Sequence, residues 1–236
     1  MPPERLLRIA ELGTVEYQRA LDLQKALVAA RVSDRIGDTL LLLEHPHVYT
    51  LGRGADDRFI REAIPGIPIV RVSRGGQVTY HGPQQLVGYP ILKLDGCDRD
   101  VTRYLRRLEQ AMIKALAEFG VSASRRERFT GVWVDGRKIA SIGVGIRRWV
   151  TYHGFAINLS TDLRYFDSIV PCGIDGCEMT SLAALGCADV DVQHFAQIQS
   201  DAFAEVFGYS EVQTIEPAAI WQQMEPRSES PASVSV

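Results

Sequence analysis

The stretch Arg74-Gly75-Gly76-Gln77-Val78-Thr79-Tyr80-His81-Gly82-Pro83 constrains the fold more than any other part of the chain. Two adjacent glycines remove side chains where a ligand or another backbone must come close. The apolar run Ile67-Pro68-Ile69-Val70-Arg71-Val72 leads in, and Leu86-Val87-Gly88-Tyr89-Pro90-Ile91-Leu92 leads out. The pattern predicts strand, glycine bend, strand, with an arginine and a histidine at the bend. Taken alone it also fits a glycine-rich hairpin with a structural histidine, because an isolated glycine motif is a weak signal.

Two further segments carry chemistry. In Gly131-Val132-Trp133-Val134-Asp135-Gly136-Arg137-Lys138-Ile139-Ala140-Ser141-Ile142-Gly143 the pair Asp135-Gly136 predicts a tight hairpin, since both central turn positions want positive φ. Lys138 begins the return strand, followed by apolar and small residues. A lysine buried there loses hydration of its ammonium, which makes it a usable base; a solvated lysine beside a turn is the other reading. In Ser168-Ile169-Val170-Pro171-Cys172-Gly173-Ile174 the cysteine sits between proline and glycine, outside any periodic apolar pattern. A structural cysteine packs as a small hydrophobe, whereas a nucleophilic one favours a turn and a nearby base.

In order along the chain, the segments Arg74-Gly75-Gly76 with Val78 to Pro83, Gly136 to Gly143, His153-Gly154-Phe155-Ala156-Ile157-Asn158-Leu159 and Pro171-Cys172-Gly173-Ile174 resemble the lipoyl(octanoyl) transferase family of lipoate synthesis. Thr50-Leu51-Gly52-Arg53 is similar as well, and the resemblance extends from about Leu40 to Leu185. It implies an α+β fold with a central mixed sheet flanked by helices, the fold shared by biotin and lipoate protein ligases. It implies Cys172 as nucleophile and Lys138 as base. It also implies an acyl site lined by Arg74, Gly75, Gly76, Gln77, Val78, Thr79, Tyr80, His81, Ser141, Ile142, Gly143, Gly154, Phe155 and Ala156. His81 is read as a hydrogen-bonded organiser of its loop, and His45, His47 and His153 as structural or surface residues. Amides around Cys172-Gly173 and a Ser141-Ile142-Gly143 turn are candidate oxyanion donors. The family has Gly-Pro-Gly-Gln where this chain has Gly82-Pro83-Gln84-Gln85. If the missing glycine takes positive φ, Gln84 is strained by about 1 kcal/mol.

The family's partners are octanoyl-acyl carrier protein as donor and, as acceptors, lipoyl domains of 2-oxoacid dehydrogenase complexes and the glycine cleavage H protein. Arg103-Arg106-Arg107, Arg125-Arg126-Arg128 and Arg147-Arg148 are candidate steering clusters for such acidic partners. No cofactor and no metal are expected, and the expected state is a cytoplasmic monomer. An ATP-dependent lipoate or biotin ligase is the main alternative, although a ligase does not need Cys172. A carrier-binding protein without catalysis is a further one, against which the presence of both Cys172 and Lys138 argues.

Composition agrees with this reading. A net charge of −3 leaves no electrostatic footprint for nucleic acid. The four cysteines, Cys97, Cys172, Cys177 and Cys187, are too scattered for a secreted disulfide framework or a zinc site. Met1 to Arg8 carries charge where a signal peptide is apolar, and no apolar run approaches the ~20 residues of a membrane span.

Periodicity predicts a strand at Leu6–Leu12, a helix capped by Thr14 and running to Val32, and a buried strand at Thr39–Leu43. It predicts a helix from Asp100 to Phe119 with Val101, Tyr104, Leu105, Leu108, Met112, Leu116 and Phe119 as its core face. A strand follows over Trp149–Leu159, then a short helix after Thr180 and a last amphipathic helix over Asp191–Phe207. The expected organisation is one catalytic domain over 1–224, with the part from Ser181 a small appendage, and a disordered Ser/Pro-rich tail over 225–236.

Overall fold

The computed structural model describes residues 5–187 and 190–224, and the expected tail lies outside them. In chain order the elements are β1 (Leu6–Thr14), α1 (Tyr17–Val32), β2 (Thr39–Glu44), β3 (Val48–Leu51), β4 (Ile69–Arg71), β5 (Val78–His81) and β6 (Gln85–Ile91). They continue with α2 (Val101–Ala117), β7 (Ser124–Arg126), β8 (Phe129–Val134), β9 (Arg137–Arg147), β10 (Val150–Asn158), α3 (Val192–Phe207), β11 (Glu211–Thr214) and α4 (Pro217–Trp221).

A strand that is apolar at consecutive positions must be covered on both faces. Thr39-Leu40-Leu41-Leu42-Leu43 is such a strand, and all five residues are buried. Leu40 and Leu42 pack with Tyr104, Leu108 and Met112 of α2 and Phe195 and Phe203 of α3. Leu41 and Leu43 point the other way, onto Leu23 and Leu27 of α1 and Ile220 of α4. The β period of two thus divides one leucine run between two cores. The strand lies inside a mixed eight-stranded sheet ordered β11-β1-β2-β6-β10-β9-β8-β7. Its β1–β2 and β1–β11 pairs are parallel and the rest antiparallel. The α+β expectation, a mixed sheet flanked by helices, is met.

A second, three-stranded sheet has the order β4-β3-β5. The glycine segment is therefore not the bend of a hairpin. β3 lies between the two strands that Arg74-Gly75-Gly76 connects, pairing parallel with β4 and antiparallel with β5. A local pattern cannot reveal a strand inserted from elsewhere in the chain.

The hairpin at Asp135-Gly136 forms as expected, with φ of 48° and 79°. Asp100 caps α2 by accepting from Arg103 N at 3.0 Å. Three expectations are corrected. Thr14 ends β1 instead of capping α1, whose cap position is Glu16 without a side-chain bond. Val101, in the first turn of α2, is 41% exposed and lies outside the core. The part after Ser181 is not an appendage, because α3 packs in the core under α2 and β11 extends the main sheet beside β1.

Candidate active site

Lys138 and Cys172 meet. The β8–β9 hairpin places Lys138 one residue into β9, where its side chain is 1% exposed. Its Nζ donates to Cys172 Sγ at 2.9 Å and to the Thr130 carbonyl at 3.1 Å. The space for this side chain comes from Gly131, which has φ of 129°; a Cβ there would lie 2.6 Å from Lys138 Cε. Lys138 N also donates to Glu178 O and Thr180 N to Lys138 O, which ties the chain after Cys172 against β9. Cys172 is in the left-handed region at φ 59°, ψ 13°, a conformation that is strained for any residue with a Cβ. Ser141 Oγ lies 3.9 Å from the sulfur.

The pair opens onto a cavity of about 340 Å³, within the range of small-ligand sites. One wall is the face of the large sheet that also carries α1. The other is the 74–81 segment of the small sheet. Of the residues expected to line it, Arg74, Gly76, Gln77, Val78, Thr79, His81, Ser141, Ile142, Gly143, Gly154, Phe155 and Ala156 do so. Gly75 and Tyr80 do not. Gly75 N donates instead to Val144 O at 2.8 Å, fastening the glycine segment to β9. Tyr80 points into a separate core with Tyr49 and Phe166, and its hydroxyl bonds His47 Nδ1 at 2.7 Å.

Arg74 is buried and serves the backbone. Its Nη2 donates to Thr50 O and Oγ1, both at 2.7 Å, and its Nη1 to Gly75 O and Gln77 O. Burial pulls its guanidinium below the ordinary arginine value, with the nearby Tyr17 opposing. Its Cδ lies over Gly143, where a Cβ would approach it to 2.7 Å. His81 is an organiser, with Nδ1 at 2.8 Å from Gln85 Oε1, and burial holds it well below 6.5. His45 is also fully buried, between Val15 O at 2.6 Å and Tyr89 OH at 2.7 Å, and burial pulls it down to about 4.

Sequence reasoning missed part of the lining, namely Tyr17, Tyr89, Arg128, Phe129, Thr130, His153, Gly173 and Ile174. Thr130 contributes a carbonyl, which no residue type announces. His153 stood inside a matched motif, and that was the available signal. Two oxyanion expectations change. Gly173 N–H is occupied by Val170 O at 2.9 Å. Ser141-Ile142-Gly143 is not a turn but strand, paired with Ala156-Phe155-Gly154. Among the arginines, Arg106 and Arg125 pair with Glu109, and Arg107 with Asp98. Among the described residues no group of three or more His, Cys, Asp or Glu is placed to hold a metal, and no helix is long and apolar enough to cross a membrane.

The fold places this chain among proteins built like lipoate-protein ligases. It superposes on the bipartite lipoate protein ligase of Thermoplasma acidophilum with a TM-score of 0.71 at 17% identity, covering 93% of this chain and 92% of that one. A lipoate-protein ligase A bound with ATP matches with a TM-score of 0.71 at 16% identity, covering 94% and 93%. Within that class the sequence is more specific: it matches the lipoyl protein ligase A/B catalytic domain over residues 16–204, and the chain belongs to that family. It is 52% identical over 179 residues to an octanoyltransferase of Geobacter metallireducens, covering 76% of this chain and 83% of the relative. It is 50% identical over 201 residues to an octanoyltransferase of Gloeobacter violaceus, covering 85% and 90%.

Proposed function

We propose that this chain is an octanoyltransferase that moves an octanoyl group from octanoyl-acyl carrier protein to a lysine of lipoyl domains, through a thioester on Cys172. The observation that carries the reading is the 2.9 Å contact of Lys138 Nζ with Cys172 Sγ at the edge of an acyl-sized cavity. Similarity to octanoyltransferases at about half identity supports it over ATP-dependent ligation, since the ligase structures share the fold at 16–17% identity. The acceptors are the lipoyl domains of 2-oxoacid dehydrogenase complexes and the glycine cleavage H protein. The working unit is one catalytic domain over 1–224, monomeric and cytoplasmic. Of the candidate clusters, Arg103, Arg126, Arg128, Arg147 and Arg148, which have no ion pair among the described residues, are the cations left to steer acidic partners.

The chemistry follows from the pair. Free thiols are mostly protonated near neutrality, and the thiolate is the nucleophile. Lys138 takes the Cys172 proton, leaving thiolate and ammonium in contact. The thiolate adds to the thioester carbonyl, the bond to the carrier sulfur breaks, and Lys138 returns the proton to that sulfur. The acceptor amine then attacks the Cys172 thioester, Lys138 removes its proton, and Cys172 leaves as a thiol. Thioester and amine become thiol and amide, with no cofactor. Ser141 Oγ, 3.9 Å from Cys172 Sγ, is a further polar group beside the reacting sulfur.

Intact mass after incubation with octanoyl-acyl carrier protein tests this. The parent gains a hydroxylamine-labile octanoyl adduct, Cys172→Ala gains none, and Lys138→Ala loads roughly 10²–10⁴-fold more slowly, the usual loss of a general base. A parent that neither forms the adduct nor octanoylates a lipoyl domain would rule out the proposal.

A further inference from the structure

The cavity has two unlike ends. Near Cys172 it is framed by Lys138 and Ser141. Further along β10 its lining includes His153, which is 1% exposed and lies in the left-handed region at φ 53°. That conformation is held by Gln24 of α1, whose Oε1 accepts His153 N–H at 2.7 Å. Neither His153 ring nitrogen has a partner among the described residues, and neither does Arg74 Nε, although the rest of that guanidinium is bonded. A buried polar group is costly unless satisfied, so unpartnered ones facing a cavity mark a place for a polar occupant. Burial, with Arg74 adding like-charge repulsion, pulls His153 down to about 3, so near neutrality its ring offers one N–H donor and one acceptor.

The register measures how far this end lies from the reacting sulfur. Ser141, beside Cys172 Sγ, is opposite Ala156, and Gly143 is opposite Gly154. His153 is a further step along β10, so it stands about 10 Å from the Ser141–Ala156 pair at the rise of a strand. A fully extended octanoyl chain spans about 9 Å from its carbonyl carbon, taking ~3.8 Å per three bonds. The length of such a chain and the spacing of His153 along β10 from the Ser141–Ala156 pair are therefore alike.

We propose that His153, with Arg74 Nε as a second unpartnered group of the same lining, is a specificity-determining polar stop that limits the acyl group on Cys172 to about eight carbons. It rests on the transfer reading above and adds to it the residue that sets chain length. A ninth aliphatic carbon must displace whatever satisfies the imidazole and leave both nitrogens buried and unpaired. An added hydroxyl of the same size can bond them.

The test uses that isosteric pair on the unmodified chain. Nonanoyl- and 8-hydroxyoctanoyl-acyl carrier protein compete for Cys172, alongside octanoyl-acyl carrier protein alone, and intact mass reads the adducts. The hydroxylated chain is expected to load roughly tenfold or more over nonanoyl, the discrimination of one unpaired buried polar group. His153→Leu is expected to erase or reverse that preference and to admit decanoyl. Equal loading of the two by the parent means a purely steric stop and overturns the inference, whether or not the variant folds. A preference unchanged in a folded His153→Leu overturns it too. Octanoyl loading without discrimination sinks this inference alone; no loading of octanoyl by the parent sinks the transfer reading and this inference with it.

Discussion

Gln84 shows what a single residue type can conceal. It has φ of 61°, the left-handed region that glycine occupies freely. The loop needs that conformation, because Gln84 O accepts from Leu159 N at 3.1 Å, Ser160 N at 3.2 Å and Thr161 Oγ1 at 2.8 Å. Those bonds join the turn between β5 and β6 to the end of β10. The strain expected from the departure at this position is therefore present in the backbone. Gln84→Gly should relieve about 1–2 kcal/mol of left-handed strain while losing about 0.5–1 kcal/mol to the freer unfolded chain. The net expectation is a gain of about 0.5–1 kcal/mol, or roughly 1–4 °C in Tm, with Cys172 loading unchanged. A thermal melt that stays the same or falls would mean the loop carries no strain. Cys172 was legible as a candidate because proline and glycine take it out of any periodic pattern. Its left-handed backbone and its contact with Lys138, 34 positions away, were not, since both are properties of the folded chain.

Among the elements, α2 does more than fill the core. Its Glu109 is 1% exposed, and the carboxylate is shared out. Oε1 accepts Gly131 N–H at 3.1 Å, while Oε2 takes Arg106 Nη1 at 2.7 Å and Arg125 Nε at 3.1 Å. Gly131 follows the Thr130 carbonyl that holds Lys138 Nζ, so a helix on the far face of the sheet fixes the backbone under the lysine. Glu109→Gln keeps the shape and removes the charge. Both arginines are more than a third exposed and recover water, so the stability loss is expected near 1–3 kcal/mol, as for hydrogen bonds to a charged group. Cys172 loading is expected to slow several-fold in the folded variant. Urea unfolding and single-turnover mass spectrometry measure the two separately; an unchanged loading rate would show that Gly131 needs no such anchor. Periodicity made α2 legible down to its Asp100 cap, since an apolar stripe and a cap are local signals. β11 left no such signal. Glu211-Val212-Gln213-Thr214 is short and exposed throughout, and it becomes a strand only because β1 offers it a parallel edge. The same limit hides the pairing around the glycine bend, where β3 enters between strands that are neighbours in sequence.

At the scale of the whole molecule, three histidines are buried in one region, around the seam where the small sheet meets α1 and the large sheet. The His45 and His81 ring centroids are 5.8 Å apart, with Tyr17 against both, and Tyr89 lies between His45 and His153. Burial pulls His45 down to about 4 and His153 to about 3, and holds His81 well below 6.5. Unfolded histidine titrates near 6.5. From there down to pH 4 the unfolded chain binds protons that the folded chain excludes, so stability is complete above about pH 6.5 and falls with pH below it. Each excluded proton contributes a slope of about 1.4 kcal/mol per pH unit. All three together approach about 4 kcal/mol per unit, against a total stability of about 5–15 kcal/mol for a typical domain. Acid unfolding is therefore expected between pH 4 and 6, before the carboxylates titrate. Urea midpoints at pH 7, 6 and 5 should fall progressively, and His45→Gln should remove about one proton from the slope whatever it does to the stability at pH 7. A midpoint that holds constant down to pH 4.5 would mean these histidines are protonated in the fold. In that case the imidazoles would be cations inside the seam, and the neutral His153 that the polar stop requires would be lost with them.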